Sequence, residues 1–290
     1  PRIMANFLIT TANTLSQGTS TADTFYFNTA RGVSIQGADG NDVLTAGTAN
    51  LTATNALLAG NAGDDTINLG VSLNTNQGSI YGGAGADTFS ASVFSAVDST
   101  LQGGGGNDSL YLSAAVLNRG NVGLNAGDDT VVMTAVVQAN SAVIALGGGN
   151  DTLTAFNFAG VGSTINGGGG ADTIDINGGS INGGQVNGDV LGDDTFFGND
   201  TITFSGNTIG GGATINGGLG NDTISANAVT AGKGGFTTGF VNGNVGNDVI
   251  SIGGIGSAAA SAFIGGGAGN DTIDVAQLSG DAAVGFGTVM

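Results

Sequence analysis

The chain of 290 residues contains no cysteine, no histidine, no tryptophan and no glutamate, and it has a single proline. Without cysteine there is no disulfide framework and no thiolate metal site. Without histidine there is no His-dependent catalytic triad and no His-ligated zinc centre. Positive charge is almost absent as well: Arg2, Arg31, Arg119 and Lys233 face 22 aspartates, for a net charge of −18. That balance argues against nucleic acid, whose phosphates need Lys and Arg to neutralise them. It also argues against an anionic membrane surface. A chain this acidic either repels itself or binds cations. No apolar run approaches the ~18 residues that read as a membrane-spanning helix. Residues 1–10 are too few and too polar for a secretory signal, so a signal has been removed or export uses another route.

What is abundant is glycine, 58 residues of it, set in a repeat. The clearest copy is Gly266-Gly267-Ala268-Gly269-Asn270-Asp271, followed by Thr272-Ile273-Asp274-Val275. Equivalent aspartates are Asp42, Asp65, Asp87, Asp108, Asp129, Asp151, Asp172, Asp200, Asp222, Asp248 and Asp271, spaced by 23, 22, 21, 21, 22, 21, 28, 22, 26 and 23 residues. A period near 22 signals a solenoid, and the regular apolar positions argue against a disordered acidic linker. Glycine stands two before the aspartate in all eleven windows, and the second and fourth residues after it are apolar, as in Ile174 and Ile176. That is period-2 alternation, hence strands with one buried face. A further apolar residue lies seven before the aspartate in ten windows, as in Ile80, Leu101 and Ile215.

Each repeat therefore reads as strand, glycine turn, strand and a looser return loop. The expected fold is all-β, a parallel β-helix or β-solenoid with one glycine turn per coil. About eleven coils at roughly 4.8 Å make a rod of about 55 Å. Residues 1–36, with Gly18 to Asp23 as a degenerate turn, read as an N-terminal cap or first rung. Residues 37–275 form the solenoid, and residues 276–290 a C-terminal cap or assembly segment. The 28-residue step before Asp200 implies an extra loop within 181–200, where Gly192-Asp193-Asp194 offers a competing turn. The 26-residue step before Asp248 implies a bulge near Lys233.

Glycine turns take positive backbone dihedrals and can point several carbonyls inward. Carbonyls plus a carboxylate form an oxygen-only set, which suits Ca²⁺ rather than transition metals. One turn supplies too few ligands, so each ion is expected to bridge neighbouring coils. Ten divalent ions between eleven turns would carry roughly +20, close to offsetting −18. The metal residues expected are the eleven aspartates with the turn glycines Gly83, Gly85, Gly104, Gly106, Gly168, Gly170, Gly218, Gly220, Gly267 and Gly269. Folding is then coupled to metal.

These windows resemble the RTX calcium-binding repeat, Gly-Gly-x-Gly-x-Asp-x-apolar-x, most closely at Gly82 to Asp87, Gly103 to Asp108, Gly167 to Asp172, Gly217 to Asp222 and Gly266 to Asp271. The resemblance covers roughly residues 37–275. It implies Ca²⁺ held by turn carbonyls and the aspartate, bacterial secretion, often by type I export, and folding in extracellular calcium; a start at Met4 would fit that route. The family repeat is commonly nine residues with ions on both edges. One motif per coil here implies a single ion ladder. Leu124 and Leu146 replace the first glycine, Asn61, Asn125 and Asn244 the second, and Thr195-Phe196-Phe197 interrupts the turn before Asp200.

No site chemistry points to an enzyme. Paired carboxylates such as Asp64-Asp65, Asp128-Asp129 and Asp193-Asp194 fall on the ion edge, and Arg119 and Lys233 stand alone. Ice binding would use regular Thr arrays; Thr152, Thr154, Thr201, Thr203 and Thr223 offer one, interrupted by Tyr111, Val132, Asp175 and Asp274. The favoured expectation is a secreted structural protein that self-assembles head-to-tail or laterally into a filament, sheath or surface layer, with cell-surface polysaccharide as a further partner. A non-catalytic module of a larger adhesin or toxin is the alternative.

Overall fold

The computed structural model describes residues 6–28, 31–47, 51–70, 73–190, 197–227, 239–253, 262–276 and 283–285. Arg2, Met4, Lys233, the Asp193-Asp194 pair and most of the segment 276–290 lie outside the described residues. Among the described residues every regular element is a β-strand. The strands run parallel and stack as a β-solenoid of about ten coils of roughly 22 residues each. The chain divides into two compact units, Pro1–Gln138 with Ala142–Ile144, and Ala139–Ser141 with Ala145–Met290.

In the first unit, one sheet stacks the strands that follow the glycine turns, from Asn6–Ile9 and Thr24–Phe27 through Thr88–Val97 to Thr130–Met133. The other stacks the strands that enter the turns, among them Ser34–Asp39, Leu57–Ala62, Ser79–Ala84 and Thr100–Gly105. The register keeps like with like: Phe25 lies beside Leu44, Leu44 beside Ile67, Ile67 beside Phe89, and Phe89 beside Leu110. All five side chains are fully buried. In the second unit the corresponding row is Leu153, Ile174, Ile202, Ile224 and Ile250. Burying each such side chain contributes about 1.5–3 kcal/mol, so the alternation seen in the sequence becomes a thin apolar core between two parallel sheets.

The return path is tighter than a loose loop. After the turn, Thr88–Val97, Ser109–Asn118, Thr152–Val161 and Thr173–Asn182 each run on as ten-residue strands. The chain then reverses at one residue in the left-handed region: Gln77, Asp98 and Arg119 in the first unit (φ 48 to 56°), and Gly162, Gly183 and Gly211 in the second (φ 57 to 64°). These corners are tied coil to coil; the Gln77 N–H donates to Val97 O and the Asp98 N–H to Asn118 O. The expected extra loop is located more narrowly. Gln185–Asp189 holds the place of a strand entering the turn, with Val186 between Ile165 and Ile215, so the inserted residues lie after Asp189 and before Gly198.

Candidate metal centre

Each motif aspartate is the residue immediately before a strand of the first sheet, and there its side chain folds inward. Asp42, Asp65, Asp87 and Asp108, and in the second unit Asp172, Asp200, Asp222 and Asp248, are about 1% exposed. One carboxylate oxygen of each is used in stacking. The Asp42 N–H donates to Asp65 Oδ1 (2.7 Å), Asp65 to Asp87 (2.8 Å), Asp87 to Asp108 (2.8 Å) and Asp108 to Asp129 (2.7 Å). The second unit repeats this from Asp151 through Asp172, Asp200, Asp222 and Asp248 to Asp271, at 2.8 to 3.0 Å. Asp200 keeps full register despite the interrupted turn before it.

The other oxygen has a different fate. In the first rung, Asp23 Oδ2 accepts the Thr19 N–H (2.5 Å) and the Thr19 hydroxyl (3.0 Å). From Asp42 onward that threonine is gone. Oδ2 of Asp42, Asp65, Asp87, Asp108, Asp172, Asp200, Asp222, Asp248 and Asp271 is buried without a hydrogen-bond partner. A buried carboxylate oxygen with no donor carries its full desolvation penalty unless a cation or a proton sits on it.

The surroundings of that oxygen suit a cation. Five residues before each of these aspartates except Asp200 stands a glycine that makes room; Asp200 has Thr195 at that distance, and its glycine is Gly188. A Cβ on Gly37 would lie 2.0 Å from Asp42 Oδ2 and 2.6 Å from the Gly60 carbonyl oxygen of the next coil. On Gly82 it would meet Asp87 Oδ2 at 2.2 Å and Gly103 O at 2.6 Å; on Gly243, Asp248 Oδ2 at 2.2 Å and Gly266 O at 2.4 Å. A carboxylate oxygen of one coil and a carbonyl oxygen of the next therefore converge on one cradle. No three acidic side chains converge among the described residues, so any ion here draws on backbone carbonyls. The donors are all oxygen, which fits Ca²⁺.

These first glycines escaped the sequence reading, which took the later ones as the functional pair. Gly83, Gly85, Gly104 and Gly106 in the first unit, and Gly168, Gly170, Gly218, Gly220, Gly267 and Gly269 in the second, all have positive φ between 103 and 139°. They shape the turn and let coils approach: a Cβ on Gly104 would lie 1.8 Å from Gly83 O. Ala38, Asn61, Asn125 and Asn244 take the same backbone region, at φ 74 to 85°. The first glycines are outside that region and are needed for space. The signal was the Gly-Gly doublet at Gly82, Gly103, Gly167, Gly217 and Gly266, whereas Gly37, Gly60 and Gly243 are followed by Ala or Asn. Leu124 and Leu146, both fully buried, stand where that glycine would be beside Asp129 and Asp151.

Burial dominates the electrostatics. It pushes the carboxyls of Asp42, Asp108 and Asp248 up to about 6, those of Asp65, Asp87, Asp172 and Asp222 to about 7, and that of Asp200 to about 8. The donated N–H opposes the rise in each, and neighbouring carboxylates add to it in most.

A second ladder runs one residue earlier, on the exposed side of the turn. The Asp64 N–H donates to Asn41 Oδ1 (3.1 Å), Ala86 to Asp64 (2.9 Å) and Asp128 to Asn107 (3.0 Å). In the second unit Asn221 donates to Asn199, Asn247 to Asn221 and Asn270 to Asn247, at 2.7 to 2.8 Å. Here each side chain accepts from the following coil, whereas the buried aspartates accept from the preceding one. Asp64 and Asp128 thus belong to this outer ladder, apart from the buried row that contains Asp65 and Asp129.

Among known proteins, no curated protein and no solved structure matches the chain. The family model of the RTX calcium-binding nonapeptide repeat matches residues 34–50, 52–71, 79–93, 98–114, 163–180, 208–228 and 263–276. The matched segments contain the cradles built on Gly37, Gly60, Gly82, Gly103, Gly167, Gly217 and Gly266. Repeat pattern, parallel solenoid and buried oxygen cradles coincide: the chain is an RTX-type calcium-binding repeat protein.

Proposed function

We propose that the protein is a secreted structural protein whose coils are locked by calcium and which self-assembles into an extracellular filament, sheath or surface layer. The observation that carries this reading is the row of buried carboxylate oxygens without donors, in a chain of net charge −18. Ions bound by Asp42, Asp65, Asp87 and Asp108, and by Asp172, Asp200, Asp222, Asp248 and Asp271, with carbonyls of adjacent coils such as Gly60 O, Gly103 O and Leu124 O, would supply the missing positive charge. The fold would then be coupled to a medium rich in calcium, as outside a cell. RTX repeats are typical of secreted proteins, which supports export. Lateral assembly is supported by apolar side chains left outside, among them Phe240 and Phe263, which pack on each other at 6.0 Å and are 53% and 41% exposed.

The test is a calcium titration of the metal-free protein, followed by circular dichroism and light scattering together. The expected result is a gain of β signal at about 10⁻⁴–10⁻³ M calcium, the range of extracellular sites, with scattering rising alongside and filaments or sheets in electron micrographs. A transition that leaves only monomers at every protein concentration would refute assembly and favour the module of a larger adhesin or toxin. For cell-surface polysaccharide, the supporting feature is a shallow groove lined by Ser90, Ser92, Tyr111, Ser113 and Thr134. Glycan-array binding lost in Tyr111→Ala would establish it; an empty array would remove it.

A further inference from the structure

One coil of the second unit carries an acidic residue that the repeat does not call for. In the strands entering the turns, Gly168 lies opposite Asp189. The next coil has Gly218 at the equivalent place, where an added Cβ would lie 2.3 Å from Asp189 Oδ2. Asp189 therefore occupies the second-glycine position of the turn that ends in Asp200. It is 2% exposed. Its Oδ2 accepts the Leu219 N–H at 2.6 Å, and its Oδ1 is buried with no partner. Gly188, the residue before it, forms the cradle of Asp200: a Cβ there would meet Asp200 Oδ2 at 2.1 Å and Gly217 O at 2.3 Å. Two buried carboxylates, each with one oxygen lacking a donor, thus belong to a single turn.

We infer that Asp189 and Asp200, with the Gly217 carbonyl, form a divalent-cation site of a second type, which binds calcium more tightly than the repeat cradles and fills first. Affinity in all-oxygen sites rises with the number of charged ligands. The common cradle has one carboxylate oxygen without a donor, while this turn has two, from residues eleven apart in sequence. An ion here also ties the coil that carries the inserted residues to the coil after it, through Gly217. Calcium uptake by the second unit then starts at this turn and spreads to its neighbours, where the local repulsion has already been relieved.

The inference rests on the calcium reading of the ladder. It is tested by isothermal titration calorimetry of calcium into the metal-free full chain, wild type against Asp189→Gly, Asp189→Asn and Asp87→Asn. Asp189→Gly restores the turn residue found in the flanking coils. Asp189→Asn keeps an acceptor for Leu219 and removes only the charge. The expected wild-type isotherm has an early step of about one ion at least tenfold tighter than the rest. Both Asp189 variants lose that step while reaching the wild-type β signal at saturating calcium, and Asp87→Asn, which alters a common cradle, keeps it. A wild-type isotherm without a distinct tight step, or a tight step that survives both Asp189 variants, overturns this site and leaves the ladder standing. No calcium uptake at all by the wild type overturns the ladder reading as well.

Discussion

Replacing Asp87 by asparagine separates the two oxygens of a ladder carboxylate. The amide oxygen of the new side chain would still accept the Asp65 N–H, a bond of 2.8 Å in the native chain. What disappears is the charge on Oδ2. Burial lifts the Asp87 carboxyl from 3.8 to about 7, a rise of about 3 units. At about 1.36 kcal/mol per unit, the ionised carboxylate at pH 8 destabilises the calcium-free fold by at most about 4 kcal/mol. Asparagine resembles the neutral acid, so calcium-free Asp87→Asn is expected to be more stable than wild type by up to that amount.

Calcium moves the comparison the other way. An ion at a hundredfold excess over its dissociation constant stabilises by about 2.7 kcal/mol. The variant forfeits that increment for every ion that Asp87 holds. The gap between urea midpoints with and without calcium therefore narrows, with the calcium-free midpoint moving up. The assay is urea unfolding at pH 8, followed by circular dichroism, in metal-free buffer and in saturating calcium. A lower calcium-free midpoint for Asp87→Asn would refute the claim that Oδ2 is an uncompensated charge. An unchanged calcium increment would refute its role as a ligand.

Acid should partly replace calcium. The ladder carboxyls titrate at about 6 to 8 in the fold against 3.8 unfolded, so the native state holds more protons between these limits. Calcium-free stability is greatest below about pH 4 and falls as pH rises toward 8, while calcium affinity rises over the same range; circular dichroism and calorimetry at stepped pH measure both. Gly82→Ala places a methyl 2.2 Å from Asp87 Oδ2 and 2.6 Å from Gly103 O, and is expected to lower stability by about 1–3 kcal/mol and remove that ion. Gly105→Ala meets no atom within 4 Å and should leave both unchanged, so equal effects in calorimetry would discount the cradle. Arg119→Ala breaks an exposed bidentate pair with Asp98 (2.6 Å); such pairs are screened by water, and neither the melting temperature nor the calcium isotherm should move.

The apolar alternation after each aspartate and the apolar residue seven before it were sufficient to place Leu44, Ile67, Phe89 and Ile80 in a solenoid core, because period-2 burial is a local property of the chain. Contacts between coils were harder to read. Asp23 has Gly18 five residues before it, as most ladder members have a glycine there, but Thr19 satisfies it, and only geometry distinguishes a capped carboxylate from an open one. Asp189 was hidden by the insertion before Asp200, which broke the alignment that would have set it opposite Gly168. Five of the first glycines were visible as doublets, yet their purpose is an empty volume beside a carboxylate folded in from five residues later.

The two ladders, compared with each other, say why the inner residue is aspartate. Both positions do the same hydrogen-bonding work, accepting one backbone N–H from an adjacent coil. On the outer ladder Asn41, Asn107, Asn199, Asn221 and Asn247 do it with a neutral amide, and Asp64 does it with a carboxylate. On the inner ladder all eleven windows have aspartate. Stacking alone would be met by asparagine there too, without bringing like charges within about 5 Å of one another. In that buried row a carboxylate is the more costly choice. The charge on the second oxygen must therefore serve something other than stacking, and a cation shared between coils is the partner that turns the penalty into an interaction. The coils are held together by sheet hydrogen bonds and apolar rows, and calcium on the inner carboxylates would add to that cohesion.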